Sequence, residues 1–250
     1  MAGWQRNGLF VTGTDTDVGK TQVTAGLALA LREHCSVGLW KPVQSGVEPG
    51  SPYSDSYRLW AGSGADGAES DLVDGTFSWP LAPWMAARRV GSEIVYDELV
   101  QIGERRLAEH DLLLVEGAGG LAVPLTAERM VIDLMVDLQL PTLVVARTGL
   151  GTVNHTLLTV EALRRRKLDV LGVILNDVPK PADAQMIAEN VEMIERFGDV
   201  QVLGVLPWLA ADAEERRDWA AWREQWKQIF LQRINMEPIM DGLNMRRNER

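Results

Sequence analysis

The stretch Gly13-Thr14-Asp15-Thr16-Asp17-Val18-Gly19-Lys20-Thr21 decides the fold. It follows a short apolar run, Leu9–Thr12, and it leads into Lys20–His34, whose composition is typical of a helix. A strand, a glycine-bearing loop and a helix in this order are the context that a phosphate-binding loop (P-loop) requires. The first N–H groups of such a helix have no partner inside it and point at a bound anion. The stretch therefore predicts a nucleotide site at the start of the first helix.

Each residue type near the end of this loop suits a phosphate ligand. Gly19 lets the backbone approach the phosphates, because it has no Cβ. Lys20 brings a positive charge to the outer phosphates, and the hydroxyl of Thr21 is placed to bind Mg²⁺. The usual P-loop pattern has glycine at the position of Thr14, whereas this chain has it one residue earlier, at Gly13. The alternative interpretation is an ordinary turn between a strand and a helix.

Apolar runs alternate with helical patterns along the rest of the chain. The predicted strands are Ser36–Val43, Leu112–Val115, Thr142–Ala146, Val170–Leu175 and Val202–Leu206. The predicted helices between them are Val95–Glu109, Met130–Leu138, Thr152–Arg166 and Asp183–Phe197. Continuous apolar strands that alternate with helices indicate an α/β fold with a mostly parallel, doubly wound sheet and helices on both faces.

Two stretches depart from this alternation. Gly62–Trp79 is rich in Gly, Ser and Asp and is predicted to be a long loop. Beyond the predicted P-loop domain, residues 1–210, residues 211–250 are expected to form a helical, Trp-rich tail whose end, 235–250, frays. Trp219, Trp222 and Trp226 share one face of that helix, because they are spaced three and four residues apart. This face packs either on its own domain or on a partner.

Composition narrows the class of function. The chain has 250 residues, of which 46% are hydrophobic, and a formal net charge of -10. This charge argues against nucleic-acid or membrane partners, so a bound polyphosphate must be held by local cations. Cys35 is the single cysteine, which leaves no disulfide within the chain and indicates a structural thiol. Because no signal peptide or membrane-spanning run is evident, a cytoplasmic location is expected.

Two charged residues follow apolar strand sequences. Lys41 ends the second predicted strand and is expected at the rim of the sheet, facing a ligand, although a surface lysine is the alternative. Glu116 ends the strand Leu112–Val115, where an acid commonly holds Mg²⁺, although a solvated strand end is the alternative. The small residues Gly117, Ala118 and Gly119 follow it and let a ligand approach the backbone. Asp55 is a further acid with a weak local signal.

Two later strand ends carry residues that suit a purine. Asn176-Asp177 follows one apolar strand, and an amide side chain can both donate to and accept from a base edge. Pro207-Trp208-Leu209 follows the next strand. Ordinary turn chemistry explains both segments equally well.

Taken together, these segments resemble the dethiobiotin synthetase family. The matching pieces occur in family order over about residues 8 to 210: Gly13–Thr21, Lys41–Gly46, Asp55, Glu116–Gly120, Asn154-His155, Asn176-Asp177 and Pro207–Leu209. The resemblance implies an ATP- and Mg²⁺-dependent enzyme. It would close a cyclic urea from 7,8-diaminononanoate (7,8-diaminopelargonate) and CO₂, through a carbamate and a carbamic-phosphoric anhydride.

The resemblance also implies roles for residues of this chain. Lys20 and Lys41 would be catalytic, and Thr21, Asp55 and Glu116 would hold Mg²⁺. Ser45 would contact the diamine or its carbamate, and Asn154 would serve the site of the partner subunit in a homodimer, with active sites at the interface. Contacts to ATP would come from Thr16, Asp17, Val18, Gly19, Lys20, Thr21, Gln22, Asp55, Glu116, Gly117, Ala118, Gly119, Asn176, Asp177, Pro207, Trp208 and Leu209.

Two other classes of ATP-dependent protein have a similar loop. The first is a partner-regulated switch ATPase of the partitioning or septum-site kind. Such proteins typically have a lysine early in the loop, where this chain has Thr14, Asp15 and Thr16. The second is a glutamine-dependent synthetase, which would need an added glutaminase domain with a catalytic cysteine. A chain of 250 residues with Cys35 alone leaves no room for that domain.

Overall fold

The protein is described by a computed structural model over residues 7–177, 182–208 and 218–245. Its centre is a seven-stranded parallel sheet with the strand order β3-β2-β4-β1-β5-β6-β7. The strands are β1 Gly8–Gly13, β2 Val37–Ser45, β3 Val73–Phe77, β4 Leu112–Gly120, β5 Thr142–Arg147, β6 Val170–Asn176 and β7 Val202–Leu206. The phosphate loop leaves β1, which lies between β4 and β5, so the ends of several strands surround it.

Helices cover both faces of this sheet. They are α1 Lys20–Leu31, α2 Asp55–Ser63, α3 Pro83–Arg89, α4 Tyr96–Glu109, α5 Val131–Leu138, α6 Thr152–Arg165, α7 Ala184–Gly198, α8 Trp219–Arg233 and α9 Glu237–Gly242. Along β1, Leu9 and Val11 belong to one apolar core and Phe10 to the other, because side chains alternate between the faces of a strand. The predicted α/β class, with a doubly wound parallel sheet in a single P-loop domain, is confirmed.

The structure corrects the prediction of a long loop over Gly62–Trp79. The helix α2 ends at Ser63, a 3-10 turn spans Glu69–Leu72, and β3 pairs in parallel with β2 at the edge of the sheet. The sequence of β3 is Val-Asp-Gly-Thr-Phe, and most of its side chains are partly exposed. An edge strand with this composition lacks the continuous apolar run by which the central strands were recognised.

The helix α8 packs on the same chain. Trp226 and Phe230 are fully buried, and the indole Nε1 of Trp226 donates to the carbonyl oxygen of Gln22 in α1 at 2.9 Å. A Cβ added at Gly26 would lie 2.3 Å from the ring of Phe230, so glycine permits the close approach of the two helices. The helix α9 lies within the stretch where fraying was expected, and it buries Ile239. Among the described residues, no helix has both the length and the apolar character of a membrane span.

Candidate active site

A cavity of about 770 Å³ opens at the carboxyl ends of β1, β2 and β4. Its walls include twelve of the residues that the sequence singled out: Thr16, Asp17, Gly19, Lys20, Thr21, Gln22, Lys41, Ser45, Asp55, Ala118, Gly119 and Trp208. The phosphate loop, the second lysine and the acids therefore lie around one space. Such a crevice at the carboxyl edge of a parallel sheet is the usual ligand site of this fold class.

The phosphate loop presents the open start of α1 to this cavity. The helix begins after Gly19, which has a left-handed φ of 89°, and no side chain caps its first N–H groups. Lys20 curls back over the loop, and its Nζ donates to the carbonyl of Asp15 at 2.8 Å. A Cβ at Gly13 would stand 2.9 Å from the backbone oxygen of Asp15 as well as from that Nζ, so the close-packed loop favours glycine there. The unpaired amides and the lysine together form an anion site.

The pKa of Lys20 is lowered, so the charge of this side chain responds to a bound anion. Its side chain is buried, and burial, followed by the nearby charge of Lys41, lowers the pKa of Lys20 to about 8. A polyphosphate at the loop would supply the opposite charge that this ammonium lacks, and it would raise the pKa again. Binding of the anion and protonation of Lys20 are therefore coupled.

The prediction that Lys41 lies at the rim of the sheet is wrong. The strand β2 continues to Ser45, and Lys41 lies inside it with an exposure of 1%. Its Nζ is 2.6 Å from a carboxylate oxygen of Asp55 and 2.6 Å from one of Glu116. Burial works against the charge, but the two carboxylates outweigh it and raise the pKa of Lys41 above its ordinary range. The lysine is tolerated inside a parallel strand because both acids neutralise it.

Glu116 is likewise buried inside a strand, and it is not a solvated strand end. The strand β4 runs on to Gly120, and the side chain of Glu116 has an exposure of 0%. Its Oε1 accepts a hydrogen bond from the Thr21 hydroxyl at 2.8 Å. Burial raises the pKa of Glu116, and the charge of Lys41 opposes that shift. Among the described residues, its Oε2 is buried without a hydrogen-bond partner.

The residues predicted to bind metal fit Mg²⁺. No group of three His, Cys, Asp or Glu side chains suited to a metal occurs in the described part of the chain. The Thr21 hydroxyl donates a hydrogen bond to Glu116, and the Nζ of Lys41 donates to both Glu116 and Asp55. A hydroxyl and two carboxylates are hard oxygen donors, and Mg²⁺ usually takes few protein ligands and completes its shell with phosphate oxygens and water. The unpartnered Oε2 of Glu116 is the atom that gains most from a cation.

A buried polar network, which sequence reasoning missed, positions Asp55. Ser54 caps α2 by accepting from the backbone N–H of Tyr57. Gln44 on β2 donates to the Ser56 hydroxyl at 2.6 Å, and its oxygen accepts from the Ser56 backbone at 3.0 Å. These bonds tie the first turn of α2 to β2 and hold Asp55 beside Lys41. A polar residue inside an otherwise apolar strand was the available signal for Gln44.

Ser45 at the end of β2 and small residues at the end of β4 also line or border the cavity. Ser45 lines the cavity, and its hydroxyl donates to the carbonyl of Leu81 at 2.6 Å. Gly119 has a φ of 62°, so its left-handed backbone suits glycine. Gly117 lies behind this wall, where its carbonyl is 3.5 Å from the Nζ of Lys41.

The residues predicted to bind adenine do not all line the cavity. Asn176 is buried behind the phosphate loop, and its Nδ2 donates to the carbonyl of Val18 at 3.2 Å. Its Oδ1 has no partner among the described residues. Asp177 accepts from the hydroxyl of Thr148 at 2.5 Å. Trp208, next to Pro207, lines the cavity, whereas Leu209 lies outside the described residues. A role for these residues in binding adenine stays a prediction.

Asn154 is not brought into the cavity of its own chain. It lies exposed in the first turn of α6, which begins after Gly151 at a φ of 90°. The preceding strand β5 ends at Arg147, whose guanidinium is 3.9 Å from the carboxylate of Asp15 in the phosphate loop. The start of α6 therefore lies beside the loop, with Asn154 facing outward.

A parallel sheet with a glycine-lysine-threonine loop, a second buried lysine and two acids defines a P-loop nucleotide-binding protein. A family model described as an AAA domain matches residues 7–216. The ATP-dependent dethiobiotin synthetase BioD of Bacillus cereus (strain B4264) is 44% identical over 207 residues, which are 82% of this chain and 85% of that protein. Its counterpart in Bacillus thuringiensis (strain Al Hakam) is 42% identical over the same shares. The chain belongs to the ATP-dependent dethiobiotin synthetase family and is an ATP-dependent ligase.

Two solved structures share the fold. The structure of pNOB8 ParA bound to nonspecific DNA aligns with a TM-score of 0.58 at 14% identity, over 98% of this chain and 100% of that one. The MinC:MinD cell division complex of Aquifex aeolicus aligns with a TM-score of 0.54 at 14% identity, over 98% and 97%. At this level of identity the likeness extends to the fold alone.

Proposed function

We propose that this enzyme makes dethiobiotin from 7,8-diaminononanoate and CO₂ and consumes ATP with Mg²⁺. The observation that carries the proposal is Lys41. It is a buried cation that faces the cavity beside Lys20 and is held by Asp55 and Glu116 at 2.6 Å each. Two lysines at one anion site suit a reaction in which a carbamate and a phosphoryl group, both negative, must meet.

The proposed reaction needs no protein nucleophile. One amine of the substrate adds to CO₂ and loses a proton, which gives a carbamate. A carbamate oxygen attacks the γ-phosphorus of ATP, the bond to the bridging oxygen breaks, and ADP leaves. The second amine attacks the carbon of the resulting carbamic-phosphoric anhydride. Phosphate leaves with the bonding electron pair, a proton is lost from nitrogen, and the cyclic urea is closed.

The side chains supply position and charge to these steps. Lys20 and the amides at the start of α1 hold the outer phosphates of the nucleotide. Lys41 draws the carbamate oxygen toward the phosphorus and stabilises the charge that develops there. Ser45 lines the cavity at the end of β2 and orients the diamine or its carbamate.

Thr21, Asp55 and Glu116 are the proposed Mg²⁺ ligands, and the ion would neutralise charge on the outer phosphate oxygens. The polar contacts described above keep these three groups in place before any ligand binds. Thr16, Asp17, Val18, Gly19, Gln22 and Gly117–Gly119 complete the proposed nucleotide site, with Asn176, Asp177, Pro207, Trp208 and Leu209 toward the adenine.

We further propose a cytoplasmic homodimer in which Asn154 serves the partner's site, without nucleic-acid or membrane partners. The exposed position of Asn154 supports this, because it cannot reach the cavity of its own chain as described. Large apolar side chains are exposed on the neighbouring surface of α6 and α7. Leu158 is 57% exposed and Phe197 is 69% exposed, which suits burial against a second subunit.

Product analysis tests the reaction. The enzyme is incubated with ATP, Mg²⁺, bicarbonate and the diamine, and the mixture is examined by mass spectrometry for dethiobiotin and for ADP in equal amount. Lys20→Ala is the matched control, since it removes the loop cation and leaves the cavity in place. Omission of either the diamine or CO₂ should abolish ATP turnover, because the carbamate needs both. ATP hydrolysis that is stimulated by DNA or vesicles without the diamine would support a switch ATPase instead.

A further inference from the structure

One part of the cavity wall contains none of the residues given a catalytic or metal-binding role above. It is formed by Gln22 and Ala25 on α1, Arg58 on α2 and Trp222 on α8. We call this set the outer wall. Trp222 lies beyond residue 216, where the match to the family model ends. The outer wall is thus partly built by a helix that the family comparison does not cover.

Arg58 is the cation of the outer wall, and its guanidinium makes no hydrogen bond or ion pair with the described residues. Its Nε is buried and has no hydrogen-bond acceptor there. The other two cations that line the cavity are engaged, since Lys20 donates to the carbonyl of Asp15 and Lys41 binds Asp55 and Glu116. A guanidinium in a cavity wall with no acceptor is a feature that a bound anion would explain.

The position of Arg58 on α2 indicates which anion this is. Asp55 and Arg58 are three residues apart in one helix, so they project from the same face, one turn apart. Asp55 lines the cavity with a half-exposed side chain and is one of the proposed metal ligands. An anion beside Arg58 therefore lies next to the proposed metal site.

The geometry points to Arg58 as a charge-stabilising residue that binds an oxygen of the terminal phosphate of the nucleotide. This inference rests on the proposed function, because it takes ATP as the bound nucleotide. Asp55 is a proposed ligand of Mg²⁺, which would neutralise the outer phosphate oxygens, so a cation one helical turn from Asp55 would lie near the terminal phosphate. The net charge of the chain is -10, so each local cation matters for holding the polyphosphate.

Equilibrium binding tests this assignment. The Kd values of MgATP and ADP are measured by titration calorimetry for the wild type, for Arg58→Gln and for Arg58→Lys. Arg105→Gln on α4 is the matched control, because it removes the same charge at an exposed surface position. In Arg58→Gln we expect the Kd of MgATP to rise roughly tenfold or more, as for loss of a charge-assisted hydrogen bond, and that of ADP to change much less. Arg58→Lys should recover part of the affinity.

Two further measurements keep the test decisive. Guanidinium chloride at low millimolar concentration should restore MgATP binding to Arg58→Ala, whereas sodium chloride at equal ionic strength should not. An unchanged Kd for MgATP in Arg58→Gln would overturn the inference, as would an equal loss for ATP and ADP. The calorimetry needs no diamine, so it is independent of dethiobiotin formation. If no dethiobiotin is made and the Kd of MgATP still rises, the proposed reaction fails while the role of Arg58 stands.

Discussion

Replacing Lys41 by Met should both stop turnover and destabilise the fold at neutral pH. The Nζ of Lys41 lies 2.6 Å from Glu116, and the side chains are 1% and 0% exposed. The substitution therefore leaves a carboxylate buried without its cation. Breaking a buried pair by removing one partner typically costs about 3–5 kcal/mol. Asp55 is 46% exposed, and water can replace its lost partner, so it adds little to this cost.

The cost has an upper limit because Glu116 can take up a proton. Its pKa is already raised by burial, and loss of the opposing Lys41 charge raises it further. An acid whose pKa is higher in the folded state destabilises the fold as pH rises through that window. The defect of Lys41→Met should therefore be small near pH 5 and approach about 3 kcal/mol at pH 8. For a chain of this size, 3 kcal/mol corresponds to a fall in Tm of about 6–12 °C.

Thermal unfolding at the two pH values, followed by circular dichroism, measures this effect. Lys41→Met with Glu116→Gln is the matched control, because it removes both charges and should recover most of the loss. In the single variant kcat should fall more than the KM for ATP rises, since Lys41 acts on the reacting groups. If Lys41→Met has the wild-type Tm at pH 8, Lys41 does not stabilise the buried carboxylate of Glu116, and the reasoning is refuted.

Four other perturbations address the loop and the assembly. Lys20→Ala should lower kcat by about 100-fold or more with little change in Tm, and near wild-type kcat would contradict the P-loop role. Calorimetry in buffers of different ionisation enthalpy should show proton uptake on MgATP binding near pH 8 and none at pH 6.5, because Lys20 has a pKa of about 8. Gly19→Ala should abolish nucleotide binding, whereas Gly50→Ala, with a similar positive φ and open space around it, should cost only about 1 kcal/mol of stability. Mixing inactive Lys41→Ala and Asn154→Ala with subunit exchange should restore roughly a quarter of wild-type activity if the residues serve a shared site, and none if both belong to one subunit's site.

The central fold could be predicted because its strands are continuous apolar runs. Thr142–Ala146 and Val202–Leu206 were recognised to within a residue of their observed bounds. The edge strand Val73–Phe77 was missed, since partial exposure removes the apolar pattern. Hydrophobic periodicity is a property of buried faces, and it weakens where the sheet ends.

The burial of Lys41 could not be predicted from its own neighbourhood. A charged residue in an apolar strand is expected to be exposed. The two partners of Lys41 are 14 and 75 residues away in the sequence, so they are not visible from its neighbours. Only the three-dimensional arrangement shows that two carboxylates neutralise it. Arg58 was missed for a similar reason, because its position depends on three helices that meet around the cavity. The residue types of the site were thus visible in the sequence, while their electrostatic dependence on one another was not.

The hydrogen bond between Trp226 and the carbonyl of Gln22 joins residues that are 204 positions apart. During translation, the helix α1 is made first, and the aromatic side chain of Trp226 follows 204 residues after its partner Gln22. At roughly 5–20 residues per second, that interval is on the order of 10–40 seconds. Throughout it, the outer face of α1 remains uncovered and open to chaperones or to other nascent chains. Synthesis of α8 therefore marks the moment at which this enzyme can cover the outer face of α1.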